Sequence, residues 1–202
     1  APPAWAASVT GGSAAAGRAV DFDTKTITTY LDQEPPQLDS TRSTDTVSFF
    51  VLGHIMEGLL RYDAHGKLVP GVAERWDIRP DGATFWLRED ARWSDGQPVT
   101  AHDFVFAWRK VVDPQTASEY AFILYYLKNA EAINSKQMPP ERLGVRAAGD
   151  RVLEVEFERP VSFFDKLAAF GLYYPIREDF YTGRSGRYGA DTTDLIFNGP
   201  FS

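Results

Sequence analysis

The chain has 202 residues, 44% of them hydrophobic and 14% aromatic, enough to bury one good core in one or two domains. Its 24% charged residues match an ordinary folded protein and exclude disorder along the whole length. A net charge of −7, from 21 basic and 28 acidic residues, lacks the clustered positive charge that phosphate binding requires, so no nucleic-acid partner is expected.

There is no cysteine, which rules out disulfides, thiolate nucleophiles and Cys-ligated zinc but leaves the compartment open. No run approaches the ~20 apolar residues needed to span a bilayer. The longest apolar-leaning stretch, 47–60, is interrupted by Gly53, His54 and Glu57.

Residues 1–24 start as an Ala-, Gly-, Pro- and Ser-rich segment with neither a basic n-region nor an apolar h-region, so it is not an intact signal peptide. It reads as the flexible start of a mature exported chain or as a cloning remnant. Lys25 to Leu31 (KTITTYL) has the Thr, Ile and Tyr content of a strand. Pro35 and Pro36 then remove backbone donors and predict an extended crossing segment over 34–40. Asp45 is the expected N-cap of a helix whose apolar residues run from Phe49 to Leu60, with Gly58 marking its end.

From Tyr62 to Gln97 the pattern changes to short strands and tight turns. Asp63 to Gly66, Asp81-Gly82 and Asp95-Gly96 are turn signals, and Thr84 to Arg88 reads as a strand. Thr100 followed by Asp103 has the form of a capping box, and Phe104, Val105, Trp108, Val111 and Val112 make one apolar helix face. Asp113-Pro114 should stop that helix, because the residue before proline is pushed out of the α region. A second helix is expected from Ser118 to about Ala132.

Residues 144–147 and 151–158 flank an Ala-Gly-Asp turn and predict a hairpin with Leu153, Val155 and Phe157 on one face. Ser162 is the expected cap of a short helix, and Pro175 opens another near Arg177 to Tyr181. Ile196 to Ser202 reads as the beginning of a strand, which suggests a truncated chain.

Three stretches carry a resemblance. They are His54-Ile-Met-Glu-Gly-Leu-Leu60, Leu68-Val-Pro-Gly-Val-Ala-Glu-Arg-Trp76 and Phe85 to Phe104, the last including Trp93-Ser-Asp-Gly-Gln-Pro-Val-Thr-Ala-His-Asp-Phe104. Together they resemble the extracellular solute-binding family of peptide receptors, the oligopeptide-, dipeptide- and nickel-binding proteins. Val112-Asp-Pro-Gln-Thr-Ala-Ser-Glu-Tyr120 looks like the oligopeptide-binding branch, and Leu38-Asp39 and Asn198-Gly-Pro-Phe201 fall at further family landmarks. Trp93, Asp95, Gly96 and Asp103 are nevertheless read as serving the fold and not the ligand.

The resemblance implies a mixed α/β (α+β) fold of the periplasmic binding protein class II (cluster C) type. In that family two lobes close on an extended peptide, held partly by strand-like main-chain pairing. This chain would supply part of the first lobe (25–45 and 172–202) and the subdomain inserted in it (46–171), with the second lobe absent. By resemblance, Thr44, Asp45 and Thr46 align with the segment whose main chain pairs with the peptide, and Tyr120 with a tyrosine lining the site. Thr44 to Thr46 also reads as an ordinary helix N-terminus, and Tyr120 as a core tyrosine.

The function implied is capture of oligopeptides outside the cytoplasmic membrane for an ABC transporter, by a periplasmic monomer that meets the membrane permease subunits and needs no cofactor. A dipeptide, murein peptide, nickel chelate or haem is the alternative ligand. Catalysis finds little support. His54, His65 and His102 are far apart, Ser94 and Ser185 have no local base, and no H-E-x-x-H or G-x-S-x-G pattern occurs. A metal-dependent hydrolase is the remote alternative.

Overall fold

The computed structural model describes residues 20–21 and 23–200. Most of the expected N-terminal tail, and the end of the expected strand at 201–202, therefore lie outside the described residues.

A four-stranded antiparallel sheet organises the chain. It consists of β5 (Ala73–Arg79), β6 (Gly82–Leu87), β8 (Val152–Glu156) and β7 (Val145–Ala147), in that spatial order. The register lines up Ile78, Ala83, Val155 and Val145 in one cross-strand row and Trp76, Phe85, Leu153 and Ala147 in another. Because side chains alternate along a strand, both rows face the core while Asp77, Thr84, Glu154 and Arg146 line up on the other side. That outer side is tied by charge, with Arg79 2.7 Å from Asp77, Arg146 paired with Glu154, and Arg75 stacked 3.8 Å over Trp86.

Helix α2 (Ala101–Val112) covers the inner face and starts where the capping box predicts. Its Phe104, Trp108, Val111 and Val112 are fully buried. Trp108 meets Phe104, Phe164 and Tyr173 edge-on and donates its indole N–H to the Tyr173 carbonyl at 3.0 Å. Burying such rings with their polar tips satisfied is the largest stabilising contribution available to a core this size. The helix ends at Asp113 as expected.

Two smaller hairpins, β1 (Val20–Asp21) with β2 (Thr26–Ile27) and β3 (Leu60–Tyr62) with β4 (Leu68–Pro70), lie earlier in the chain. Helix α1 (Thr46–Ile55) precedes β3, and α3 (Ala130–Asn134), α4 (Phe164–Leu167) and α5 (Glu178–Gly183) complete the helices.

Five expectations need correction. The strand over 25–31 shrinks to Thr26–Ile27, because among the described residues no strand lies beside 28–31. Helix α1 stops at Ile55 and not at Gly58, since Met56 turns extended and the Ile55 carbonyl accepts from Gly199 N–H at 2.9 Å. The continuous helix over 118–132 does not form. A 3₁₀ turn at Ala121–Leu124 is followed by backbone pairing of 126–128 with the end of β8, and Asn129 sits at φ 67° before α3 begins. Of its buried residues, Ala121 and Leu124 belong to the 3₁₀ turn, Leu127 to the pairing beside β8, and Ala130 and Ile133 to α3. Ser162 is not a cap; it is exposed, and α4 is held by buried Val161 and Phe164. Residues 196–200 form no strand, because their backbone groups bond instead to Ser94 and to the C-terminal end of α1.

Candidate functional site

A buried polar turn sets up the segment 38–46. The Asp39 carboxylate accepts from the Thr41 N–H at 2.9 Å and the Thr41 hydroxyl at 2.7 Å. The Asp39 carbonyl accepts from the N–H of Arg42 and Ser43 and from the Ser43 hydroxyl at 2.8 Å. Asp39, Thr41 and Ser43 are all buried, so an unpaired group here would be costly and the turn has little freedom. Burial pushes the Asp39 carboxyl above its ordinary range, against the pull of the two Thr41 bonds.

Thr44 leaves this turn half-buried, and Asp45 continues it with extended backbone at φ −101°, ψ 154°. The Asp45 side chain caps α1 by accepting from Ser48 N–H at 2.7 Å, as its sequence position predicts. Partial burial pushes that carboxyl up, but the hydrogen bonds from Ser48 and the neighbouring backbone together outweigh it and hold the group below the ordinary carboxylate range. Thr46 is exposed. Neither Thr44 N–H nor Thr46 N–H donates to another described residue.

Tyr120 comes to the same place from 76 positions away. Its hydroxyl donates to the Thr44 carbonyl at 3.1 Å, and its half-buried ring packs edge-on against Phe122 with centroids 6.0 Å apart. All four residues singled out in the sequence thus meet at one edge. The arrangement leaves main-chain donors next to a fixed aromatic ring, which is what pairing with another extended chain needs.

The Trp93 to Asp103 run lies elsewhere and is structural. Trp93 is buried and donates its indole N–H to Asp103 Oδ2 at 3.2 Å, and Thr100 N–H donates to the same oxygen at 2.8 Å. Asp95 accepts from Gln97 N–H and pairs with Arg177 at 2.6 Å, while Gly96 takes the left-handed φ of 86° that the turn demands. The Asn198 side chain accepts from Glu57 N–H and donates to Glu57 O, clamping the chain just after α1. A β-carbon on Gly199 would come within 2.6 Å of the Ile55 carbonyl carbon, so the contact requires glycine.

Three residues escaped the sequence reading. The Thr41 and Ser43 side chains fix the turn beneath the edge, and Phe122 is an exposed ring beside Tyr120. Phe122 lay hidden in an apolar run that read as helix core. Among the described residues no three His, Cys, Asp or Glu side chains are grouped to hold a metal. A groove of about 1130 Å³, lined by Arg79, Lys128, Arg142 and Glu156 among others, adjoins the outer side of the sheet and includes none of the four edge residues.

The model of the family described as "Bacterial extracellular solute-binding proteins, family 5 Middle" matches residues 67–202. The chain belongs to this family. Among relatives of solute-binding family 5, the oligopeptide-binding protein OppA of Bacillus subtilis is 36% identical over 179 residues, covering 87% of this chain and 33% of that protein. The periplasmic OppA of Haemophilus influenzae is 45% identical over 134 residues, covering 64% and 25%. Solved structures agree. The substrate-binding domain of an oligopeptide ABC transporter from Bacillus anthracis superposes with a TM-score of 0.83 at 45% identity, over 85% of this chain and 34% of that one. Listeria monocytogenes OppA bound to peptide gives 0.80 at 37%, over 83% and 33%. These neighbours show the periplasmic binding protein fold and are solute-binding receptors. The chain spans about a third of the length of the relatives it matches.

Proposed function

We propose that this chain forms part of the ligand-holding lobe of an oligopeptide receptor that serves an ABC importer outside the cytoplasmic membrane. The observation that carries the reading is the main-chain edge at Thr44–Thr46, where extended backbone at Asp45 leads into the first residue of α1. Its N–H groups at 44 and 46 have no partner among the described residues, and its shape is held by the Tyr120 hydroxyl and the buried Asp39 turn. A peptide lying along this edge gains main-chain hydrogen bonds that do not depend on its sequence. Asp45 acts from beneath by capping α1, and Thr46 borders the ligand. The relatives named above and others, which are oligopeptide-, dipeptide- and murein peptide-binding proteins, support a peptide ligand.

The division into 25–45 with 172–202 as lobe and 46–171 as inserted subdomain, after a tail over 1–24, belongs to the same proposal. It draws support from the closeness of the two crossing points, since Phe49 packs on Phe170 with ring centroids 5.1 Å apart. The whole receptor works without catalysis or cofactor, as an exported monomer that delivers its peptide to the permease subunits. Releasing the bound material from whole receptor purified natively, and identifying it by mass spectrometry, tests this. A mixture of short peptides is expected. A single non-peptide compound, such as a bile acid, haem or a nickel chelate, would overturn the oligopeptide reading.

A further inference from the structure

Two large apolar side chains stand exposed at the ends of the Thr44–Thr46 edge. Phe122 is 57% exposed, and Phe50 is 43% exposed one helical turn along α1 from Thr46. Single exposed apolar residues are common on protein surfaces and need no explanation. These two differ from that background in how they are held and where they stand.

Phe122 cannot drift away from its place. Ala121 and Leu124 on either side of it are buried, its own carbonyl accepts from Tyr125 N–H at 3.1 Å, and the next carbonyl, of Ile123, accepts from the buried Tyr173 hydroxyl at 3.0 Å. Its ring lies against Tyr120, the residue that holds Thr44. On α1, a surface helix would turn charged residues outward, yet Thr46, Phe50 and Gly53 are what its exposed side carries. The only titratable side chain in the helix, His54, stacks on Phe50 at 4.6 Å and bonds the Phe50 carbonyl through Nδ1 at 2.7 Å.

We propose that the exposed rings of Phe122 and Phe50 make apolar walls at the peptide edge, so that the receptor selects oligopeptides with an aromatic or branched aliphatic side chain there. The inference rests on the peptide reading above and adds to it a preference that main-chain pairing alone does not give. An apolar ligand side chain covers rings otherwise left in water, and aromatic pairs gain further from edge-on contact.

The test is calorimetry on the whole receptor with tetra-alanine and with peptides in which phenylalanine or aspartate replaces each alanine in turn. At one position or more, phenylalanine is expected to bind about tenfold more tightly than alanine, and aspartate more weakly. In Phe122→Ala or Phe50→Ala that preference of phenylalanine over alanine should fall to about twofold. Phe122→Leu should keep part of it, and Tyr62→Ala, which removes an equally exposed ring on β3, should keep all of it. Equal binding of alanine and phenylalanine peptides would overturn the preference and leave the peptide reading standing. So would a preference that both variants retain, or variants that lower the melting temperature without touching selectivity, as expected if another part of the receptor covers these rings. Failure of every tetrapeptide to bind would remove the peptide reading, and the inference with it.

Discussion

The run from Trp93 to Phe104 and the edge from Thr44 to Thr46 are both places where the chain resembles its family, yet they are built in opposite ways. In the first, the work is done by side chains in the interior: the buried Trp93 and Asp103 satisfy one another, and the half-buried Thr100 adds its N–H to the same carboxylate oxygen. In the second the main chain presents donors, and the side chains either cap a helix or face solvent. A buried ring bonded to a buried carboxylate tolerates almost no substitution, because a change leaves a cavity or an unpaired group. An edge that works through its backbone places no such demand.

The contrast can be broken by mutation. Trp93→Ala should have the largest effect, about 3–5 kcal/mol of unfolding free energy, from the cavity together with the lost bond to Asp103. Chemical denaturation would measure it, and ligand affinity per folded molecule should not change. If the variant unfolds at the wild-type midpoint, the scaffold role of the motif is wrong. On the edge, Asp45→Ala removes the cap bond to Ser48 and should cost about 1 kcal/mol by the same measurement. Tyr120→Phe keeps the ring and removes only the bond to Thr44, for a loss of about 1 kcal/mol or less. Tyr120→Ala in the whole receptor should weaken peptide binding with little change in melting temperature. Loss of fold at unchanged affinity would make Tyr120 a core residue instead.

Local chemistry made much of the fold legible. Both ends of α2 follow from Thr100 with Asp103 and from Asp113-Pro114, because caps and prolines act within a few residues. The β7–β8 hairpin follows from the alternation at Leu153 and Val155. Expectations failed where long-range pairing decides the outcome. Residues 126–128 have the content of a helix, but hydrogen bonds to the end of β8 pull them straight, and Asn198 and Gly199 close α1 early from more than 140 positions away. The three-residue spacing of Ala121, Leu124 and Leu127 shows only in their burial, because in the sequence they sit inside the unbroken apolar run 120–127. At the candidate site the Asp45 cap was readable from position alone. The meeting of Tyr120 with Thr44 was not, since no local period links them; only the family resemblance brought the two together.

The smallest effect is the most discriminating, because it separates two carboxylates within the motif itself. Burial pushes the Asp103 carboxyl above the ordinary 3.8, against the bonds from Thr100 and Trp93. At Asp95 burial also acts upward, but Arg177 and the Gln97 N–H outweigh it and hold the group below 3.8. A carboxyl raised in the folded state favours folding more as it takes up its proton. The stability of the wild type relative to Asp103→Asn should therefore rise as pH falls from neutral through the raised pKa towards 3.8. A lowered carboxyl stabilises only while it is ionised. The advantage of the wild type over Asp95→Asn should be constant at higher pH and shrink as pH falls below 3.8. Urea denaturation of the three proteins from pH 7 to pH 3 reads both gaps, and every other carboxylate cancels in the differences. Because Asp95 is partly exposed, added salt should narrow its gap and leave that of buried Asp103 nearly unchanged. Two gaps moving in the same direction with pH would mean that Asp103 is held ionised by its donors, and that the motif is stabilised by charge at both carboxylates.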